Sequence, residues 1–497
     1  MAITILSSSY IGVNSYIVEV EADISNGLPN FCIVGMGDTA ILESKERIRS
    51  SLKNMGISFP VKRVIVNLSP ADIKKRGSQF DLSICVGILA NMGYISNLGK
   101  LSDYLILGEL ALSGDIKSCK GIINAAVLAK EHNLKGIIVP FDNAREAQLI
   151  NGLDIISVKN LADVLRFFNE DKKIKLENFS LEEYYSDYDI DFSEVKGQFF
   201  AKRAFEISAA GGHNIFLIGD PGSGKSMLAK RLISILPSMS EKEIIETTRI
   251  YSISGFLSKD SPIINKRPFR SPHHTATIVS MVGGSIRPGE VSLALNGVLF
   301  LDELGEYPVK LLEVLRQPLE DGKITISRSD FTADYPVNMI LVTATNPTPG
   351  GFFEDDPRCT DSLTSIKKYK KKFSGPLLDR MDIYVEMRRL SKEEILDNKI
   401  SESSEKIRQR VINARKVQFQ RHKNEKLNKD MNKNDLAKFC KLDSKTEDFL
   451  DSAIENFNLS ARSYDKVLKV SRTIADLDGK ENIFLNHVLE ALNYRRR

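Results

Sequence analysis

With 497 residues, 42% hydrophobic and 27% charged, the chain has a globular composition and room for roughly two to four domains, which excludes fibrous and low-complexity classes. A net charge of +4 is no polycationic nucleic-acid coat, and no apolar run approaches the roughly 20 residues a membrane helix needs. Cys32, Cys85, Cys119, Cys359 and Cys440 have no paired spacing and read as reduced thiols; with no basic stretch of a secretory signal at the N-terminus, a cytoplasmic location is expected.

Taken in chain order, the first 168 residues read as an α/β unit. The runs "SYIVEVEADI", "RVIVNLSP", "YLILGELALSG" and "KGIIVP" predict strands, and "DTAILESKERIRSSLKNMG" and "GIINAAVLAKEHN" carry helical periodicity. Residues 169–194 are acidic and poor in aliphatics, and predict a linker. A second α/β unit spans 195–389. Its short apolar strands "NIFLIGD", "GVLFLDEL", "ITIS" and "MILVTATNP" alternate with helices, the rhythm of a doubly wound parallel sheet. Strand patterns then stop, and 390–497 reads as all-helical. Lys367, Lys368, Lys370, Lys371 and Lys372 crowd into six positions, either as a solvated face or as a nucleic-acid or nucleotide contact.

The chemistry starts at "GDPGSGKS". Gly219, Asp220, Pro221, Gly222, Ser223, Gly224, Lys225 and Ser226 fit G-x-x-x-x-G-K-[ST] between a strand-like and a helix-like run. Glycines there allow a tight turn whose backbone N–H groups surround phosphate oxygens at a helix N-terminus. Lys225 would reach the β- and γ-phosphates of ATP and Ser226 would ligate Mg²⁺. About 75 residues on, "GVLFLDEL" carries Asp302 and Glu303 to the C-terminal end of a buried strand, where ligands of such sheets sit. Asp302 suits the Mg²⁺ shell, and Glu303 suits orienting or polarising water; helix capping is the competing role. Asn346 ends another strand, Arg380 follows a short apolar turn, and Arg462 begins a helix. A fixed guanidinium stabilises charge on a transferring phosphoryl group, so their order around the loop raises both arginines above ordinary surface ion pairs.

That order resembles an AAA+ ATPase. The words "GQFFAKRAFEISAAGGHNIFLIGDPGSGKSMLAKR", "RPFRSPHHTAT", "PGEVSLALNGVLFLDEL", "LRQPLEDGKITISR", "SGPLLDRMD" and "ARSYDKVLKVSRTIADL" are similar to the magnesium-chelatase-like AAA+ proteins of the ComM/YifB family. So are "GLPNFCIVGMGDTAILESKERIRSSL" and "VNLSPADIKKRGSQFDLSICVGILA", and the likeness covers nearly the whole chain. The resemblance implies Lys225 and Ser226 on phosphate and Mg²⁺, and Asp302 and Glu303 as a Walker B pair. It further implies Asn346 as sensor 1, Arg380 as an arginine finger acting in trans, and Arg462 as sensor 2 in a helical lid. A trans finger implies a homo-oligomeric ring, typically a hexamer. Family members are understood as DNA helicases promoting branch migration during natural transformation.

Three constellations point elsewhere. The first unit resembles a Lon-protease fold, but Ile123 stands at the aligned catalytic lysine and Gln79 at the serine, so no activated nucleophile is expected. His273 and His274 lack nearby ligands at metal spacing, so loop anchoring or substrate contact is the expected role; Arg267 and Arg270 beside them either contact phosphate or serve structural hydrogen bonds. Where the family often carries a cysteine cluster, this chain has Thr348 and Gly350 and retains only Cys359, so no zinc is expected. The leading expectation is an ATP-driven motor on DNA, bound through its backbone without base readout. The alternatives are a chelatase-like ATPase subunit remodelling a protein partner, and a protein remodeller or protease.

Overall fold

The computed structural model describes residues 2–176, 188–284, 287–328, 331–373, 377–396 and 401–495. Residues 177–187 of the expected linker and 374–376 of "SGPLLDRMD" lie outside the described residues.

Among the described residues up to Val158 there are nine strands: β1 (Ile3–Ile11), β2 (Asn14–Ser25), β3 (Asn30–Val34), β4 (Arg63–Ser69), β5 (Tyr104–Ile106), β6 (Glu109–Leu110), β7 (Ile116–Lys117), β8 (Gly136–Pro140) and β9 (Asp154–Val158). Seven form one mixed sheet in the order β3-β4-β2-β1-β5-β8-β9. Alternation decides which face is inward: Val64, Val66 and Leu68 of β4 and Val18, Val20 and Ala22 of β2 are fully buried. The Asp81–Asn91 helix packs on that face and is buried almost all round, and a Cβ on its Gly87 would lie 2.9 Å from the Ala22 Cβ. The expected strand "YLILGELALSG" is two pieces, β5 and β6, broken at Gly108, whose N–H donates to the Gln79 carbonyl (2.9 Å) instead of to a sheet neighbour.

One buried ammonium in this unit has no hydrogen-bond partner among the described residues. Lys75 is 0% exposed, and its Nζ makes no hydrogen bond to the described residues. Burial pushes the ammonium below its ordinary pKa, against a smaller opposing pull from Asp72. The unfolded chain therefore binds more protons than the native one between the lowered native pKa and the ordinary lysine value of about 10.4, so the cost of this site develops as pH falls through that window and is complete below it. Lys75→Met is expected to raise the thermal transition at pH 7, on a scale of roughly 1–3 kcal/mol for relieving an unsatisfied buried polar group. The gain should shrink towards pH 10.5. Melting curves at the two pH values check this, and a lower melting temperature at pH 7 would contradict it.

The second unit is built on five parallel strands: β10 (Ile215–Gly219), β11 (Phe269–Arg270), β12 (Val298–Leu301), β15 (Ile340–Thr345) and β16 (Ile383–Met387), ordered β11-β12-β15-β10-β16. β10, β12 and β15 are apolar and buried on both faces, as strands covered by helices on two sides must be. The expectation for "ITIS" is corrected: as β13 (Lys323–Arg328) it pairs antiparallel with β14 (Phe331–Pro336) in a separate hairpin. Its apolar residues point into the core beside Tyr335, and that packing replaces a place in the parallel sheet. No strand follows Met387 among the described residues. Helices Ser404–His422, Lys433–Phe439, Ser444–Phe457, Ala461–Leu477 and Leu485–Asn493 share one apolar core with Phe205, Leu217 and Leu228 of the second unit. Among the described residues no helix is long and apolar enough to cross a membrane.

The two α/β units meet through the Glu241–Ser254 helix. Its Ile244, with Met239 and Ile263, packs among Ile122, Ala125 and Ala126 of the first unit. Ser252 accepts from the Gly121 N–H (2.9 Å) and donates to Glu146 (2.7 Å).

Candidate functional site

β10 lies between β15 and β16, so residues 220–224 emerge at the C-terminal end of the sheet's interior. Gly219 is fixed by sheet packing, because a Cβ there would lie 2.1 Å from the Met387 carbonyl oxygen of β16. Gly224 serves the turn: its φ of +93° precedes the Lys225–Ile235 helix, and a side chain would meet open space but a strained backbone.

Lys225 folds back over this turn. Its Nζ donates to the carbonyls of Gly219 (2.5 Å) and Asp220 (3.0 Å) and to Asn346 Oδ1 (3.2 Å). Burial lowers the pKa of the ammonium, and Asp302, Asp220 and Glu303 oppose that shift. Ser226 Oγ donates to Asp302 Oδ2 at 2.6 Å, and Asp302 Oδ1 accepts from the Glu303 N–H at 3.0 Å. The structure thus brings together four residues expected from the sequence, Lys225, Ser226, Asp302 and Asn346, with Glu303 next to them. Glu303 has φ +51°, an uncommon conformation for a residue with a Cβ.

The residues fit a nucleotide with a hard divalent cation. A hydroxyl and a carboxylate 2.6 Å apart are oxygen ligands of the kind Mg²⁺ takes. The buried Ser223 Oγ makes no hydrogen bond to the described residues, which leaves a donor at the loop for a phosphate oxygen. Lys225 supplies the matching charge.

Arg380 and Arg462 lie elsewhere. Both line a cavity of about 390 Å³ that also takes in Glu320, Lys429, Lys466 and Lys469, and none of residues 219–226 borders it. Arg380 pairs with Glu320, which also meets Arg316 Nε at 3.3 Å. Burial, then the like charges of Arg462 and Arg316, lower the Arg380 pKa, and at neutral pH it stays ionised. Arg380 and Arg462 therefore stand together, apart from the phosphate loop of their own chain.

Two residues at the loop escaped the sequence reading. Gln198 Nε2 donates to the carbonyls of Ser223 (3.2 Å) and Arg388 (2.8 Å), and Arg389 Nε donates to the Pro221 carbonyl (2.9 Å). Both reach the loop from far along the chain, and their only local signal is Gly197–Gln198 just before a helix. Arg267 and Arg270 have structural partners: Arg267 forks on Glu243 (2.9 Å, twice) and Arg270 on Glu290 (2.6 and 2.8 Å). Of the lysine run, Lys372 caps the Gly305 carbonyl (3.1 Å) and Lys370 pairs with Glu354 (2.5 Å). His274 faces Glu303, with Nδ1 3.4 Å from Oε2.

The same residues are matched by family models described as magnesium chelatase, subunit ChlI (residues 191–395), subunit ChlI of Mg-chelatase (20–143) and magnesium chelatase, subunit ChlI C-terminal (401–495). Competence protein ComM of Haemophilus influenzae is 39% identical over 99% of this chain and 97% of its own length. YifB of Escherichia coli is 40% identical over 98% of this chain and 95% of its own. DNA replication licensing factor mcm-6 of Caenorhabditis briggsae is a distant relative, 22% identical over 57% of this chain and 33% of its own length.

Proposed function

Because the chain belongs to the magnesium-chelatase-like family that includes ComM and YifB, a family that points to AAA+ ATPases, we propose that it is an ATP-hydrolysing ring motor acting on DNA. The observation that carries the ATPase half is the convergence of Lys225, Ser226, Asp302 and Asn346 on one turn. Lys225 holds the phosphates, Ser226 and Asp302 hold Mg²⁺, and Asn346 and Glu303 orient the attacking water. Held there by Ser226 and Asp302, Mg²⁺ would supply charge neutralisation for phosphoryl transfer. Gln198 and Arg389 keep the turn in shape from below.

A ring is supported by the separation of Arg380 and Arg462 from the loop of their own chain. Each subunit presents these arginines to the nucleotide of the next, so the site is complete only between subunits, typically six. Arg462 then works on the neighbour's nucleotide together with Arg380. Residues 195–389 form the ATPase core and 390–497 its helical lid. Residues 1–168 are a Lon-like scaffold without protease chemistry, joined to the core through 169–194.

The DNA half is supported by the ComM relative's name as a competence protein and, distantly, by the replication licensing factor. In this reading the ring promotes branch migration of recombining DNA, including DNA taken up in natural transformation. Contacts run to the phosphate backbone, so affinity falls steeply with salt. A second reading, an ATPase subunit remodelling a metal-inserting partner, follows the descriptions of the family models. ATP turnover measured with and without forked or four-way DNA separates the two. Stimulation by DNA that fades with added salt is expected, and turnover and DNA binding that ignore every DNA structure would remove the motor reading.

A further inference from the structure

The lysine run from 367 to 372 has no part in the nucleotide site, and the Leu363–Phe373 helix sorts it by face. Ile366, Tyr369 and Phe373 are buried, whereas Lys367, Lys370 and Lys371, spaced i, i+3 and i+4, share one exposed face. All three line a cavity of about 660 Å³, and Arg495, just past the last helix, joins them there. Glu386 is the one carboxylate in the lining, so four cations stand against one anion among the described residues. Lys370 also reaches Glu354, outside the lining, at 2.5 Å.

The floor of this cavity is the outermost strand of the parallel sheet. β16 pairs with β10 alone, and the register sets Tyr384 beside Phe216 and Glu386 beside Ile218 on one face, all four in the cavity wall. Phe373 lines it as well, and so does Phe200, which is 45% exposed and stacks on Tyr494 with ring centroids 4.5 Å apart. The interior is therefore apolar and aromatic, with the cations around it. The main chain of β16 alternates too. The Ile383 N–H donates to the Asn214 carbonyl on the β10 side (3.1 Å), so the main-chain groups of Tyr384 and Glu386 point out of the sheet. The Tyr384 N–H meets the Tyr494 carbonyl at 2.8 Å, a single rung of pairing on that edge. Pairing then stops: among the described residues the Glu386 N–H donates no hydrogen bond and its carbonyl accepts none. An open edge of this kind is a template for another strand.

We propose that the outer edge of β16 and the cavity beside it dock an extended acidic segment of a partner protein, which continues at Glu386 the pairing begun by Tyr494 and seats an apolar side chain against Phe216 and Phe373. A strand added there sends every second side chain to the face of the sheet that carries Tyr384 and Glu386, which is the floor of the cavity. Its main chain pairs with the Glu386 N–H and carbonyl, and acidic side chains at its ends meet Lys367, Lys370 and Lys371. The edge favours a peptide over a nucleic acid, because it offers a donor and an acceptor together, and a phosphodiester has no donor to return. The surface lies outside the ATPase reading: none of residues 219–226 lines it, and it shares no lining residue with the cavity of Arg380 and Arg462.

The test offers the full chain an array of fluorescein-labelled heptapeptides with Asp or Glu at both ends, valines inside them and Phe, Tyr, Leu or Ile at the centre. A lysine-ended set serves as the control, and fluorescence anisotropy reads binding. Acidic members are expected to bind wild type at least about tenfold more tightly than their lysine-ended counterparts. Lys367→Glu combined with Lys370→Glu reverses two charges on the exposed helix face, and is expected to weaken binding about tenfold or more with ATP turnover and melting temperature unchanged. Glu386→Pro removes the edge N–H, a change that edge strands accommodate, and is expected to weaken binding to a similar degree. The double lysine variant keeps the test decisive where Glu386→Pro lowers the melting temperature. Folded wild type that binds no acidic peptide, or binds both sets equally, would overturn the proposal. So would undiminished binding by folded Glu386→Pro, which puts the peptide off the strand edge. A thymidine oligonucleotide that binds in place of the peptides, and is lost in the double lysine variant, would assign the surface to nucleic acid instead.

Discussion

Lys225→Ala is expected to abolish ATP turnover, with a fall of at least about 10²–10³-fold, the scale for losing one preorganised charge-stabilising donor. The basis is how Lys225 is held. Its ammonium is buried, takes two loop carbonyls and Asn346 as acceptors, and stays charged against a desolvation penalty that Asp302, Asp220 and Glu303 only partly offset. A cation kept at that cost and aimed at the turn is poised for phosphate. Alanine leaves the Gly219 and Asp220 carbonyls unpaired but removes a desolvated charge, so the melting temperature should change little. Turnover assays with thermal melts check this, and wild-type turnover in a folded Lys225→Ala protein would contradict it.

Arg380→Ala is expected to leave nucleotide binding intact and to lower hydrolysis by about 10³–10⁵-fold, the range for an arginine supplied in trans. Binding is spared because no residue of the phosphate loop borders the cavity that holds Arg380. The fold is spared because Glu320 keeps Arg316 as a partner (3.3 Å) when Arg380 is lost. The Glu320 carboxylate, paired with Arg380 and Arg316 in a cavity that Arg462 also lines, resembles a phosphate oxygen among guanidinium groups, which is the environment a neighbour's nucleotide would supply. Analogue binding with single-turnover hydrolysis reads the two effects separately. Normal hydrolysis in Arg380→Ala would end the finger role.

Local pattern made the placement of the loop, the acidic pair and Asn346 in the candidate site legible. Gly219 to Ser226, the Asp302–Glu303 pair and Asn346 each close an apolar strand of the same parallel sheet, and such strands deliver their last residues to one edge. Less was legible where pairing partners decide. The "ITIS" segment is as apolar as its neighbours, yet it joins β14, because local hydrophobicity does not name a partner strand. β1 carries Ser7, Ser8 and Ser9, which dilute the alternation, but all three are buried and Ser7 donates to the Ile106 carbonyl at 2.9 Å. For Arg267 and Arg270 the choice between phosphate contact and structural hydrogen bonds stays open in the sequence, because Glu243 and Glu290 lie 24 and 20 residues away. Gln198 and Arg389 show the same limit: each reaches the loop only through the fold. Arg462 was legible as a basic residue opening a helix, but its position beside Arg380 depends on how the Ala461–Leu477 helix packs.

Mixing two inactive proteins tests most directly whether ATP is hydrolysed between subunits. Lys225→Ala retains the arginines and lacks a working loop, while Arg380→Ala retains the loop and lacks its finger. Combined at equal concentration, they create interfaces in which an intact loop meets an intact arginine. ATP turnover that reappears on mixing, highest near equal proportions, is the predicted result. A mixture as inactive as its parts, from proteins shown to assemble together, would contradict a site shared across the ring.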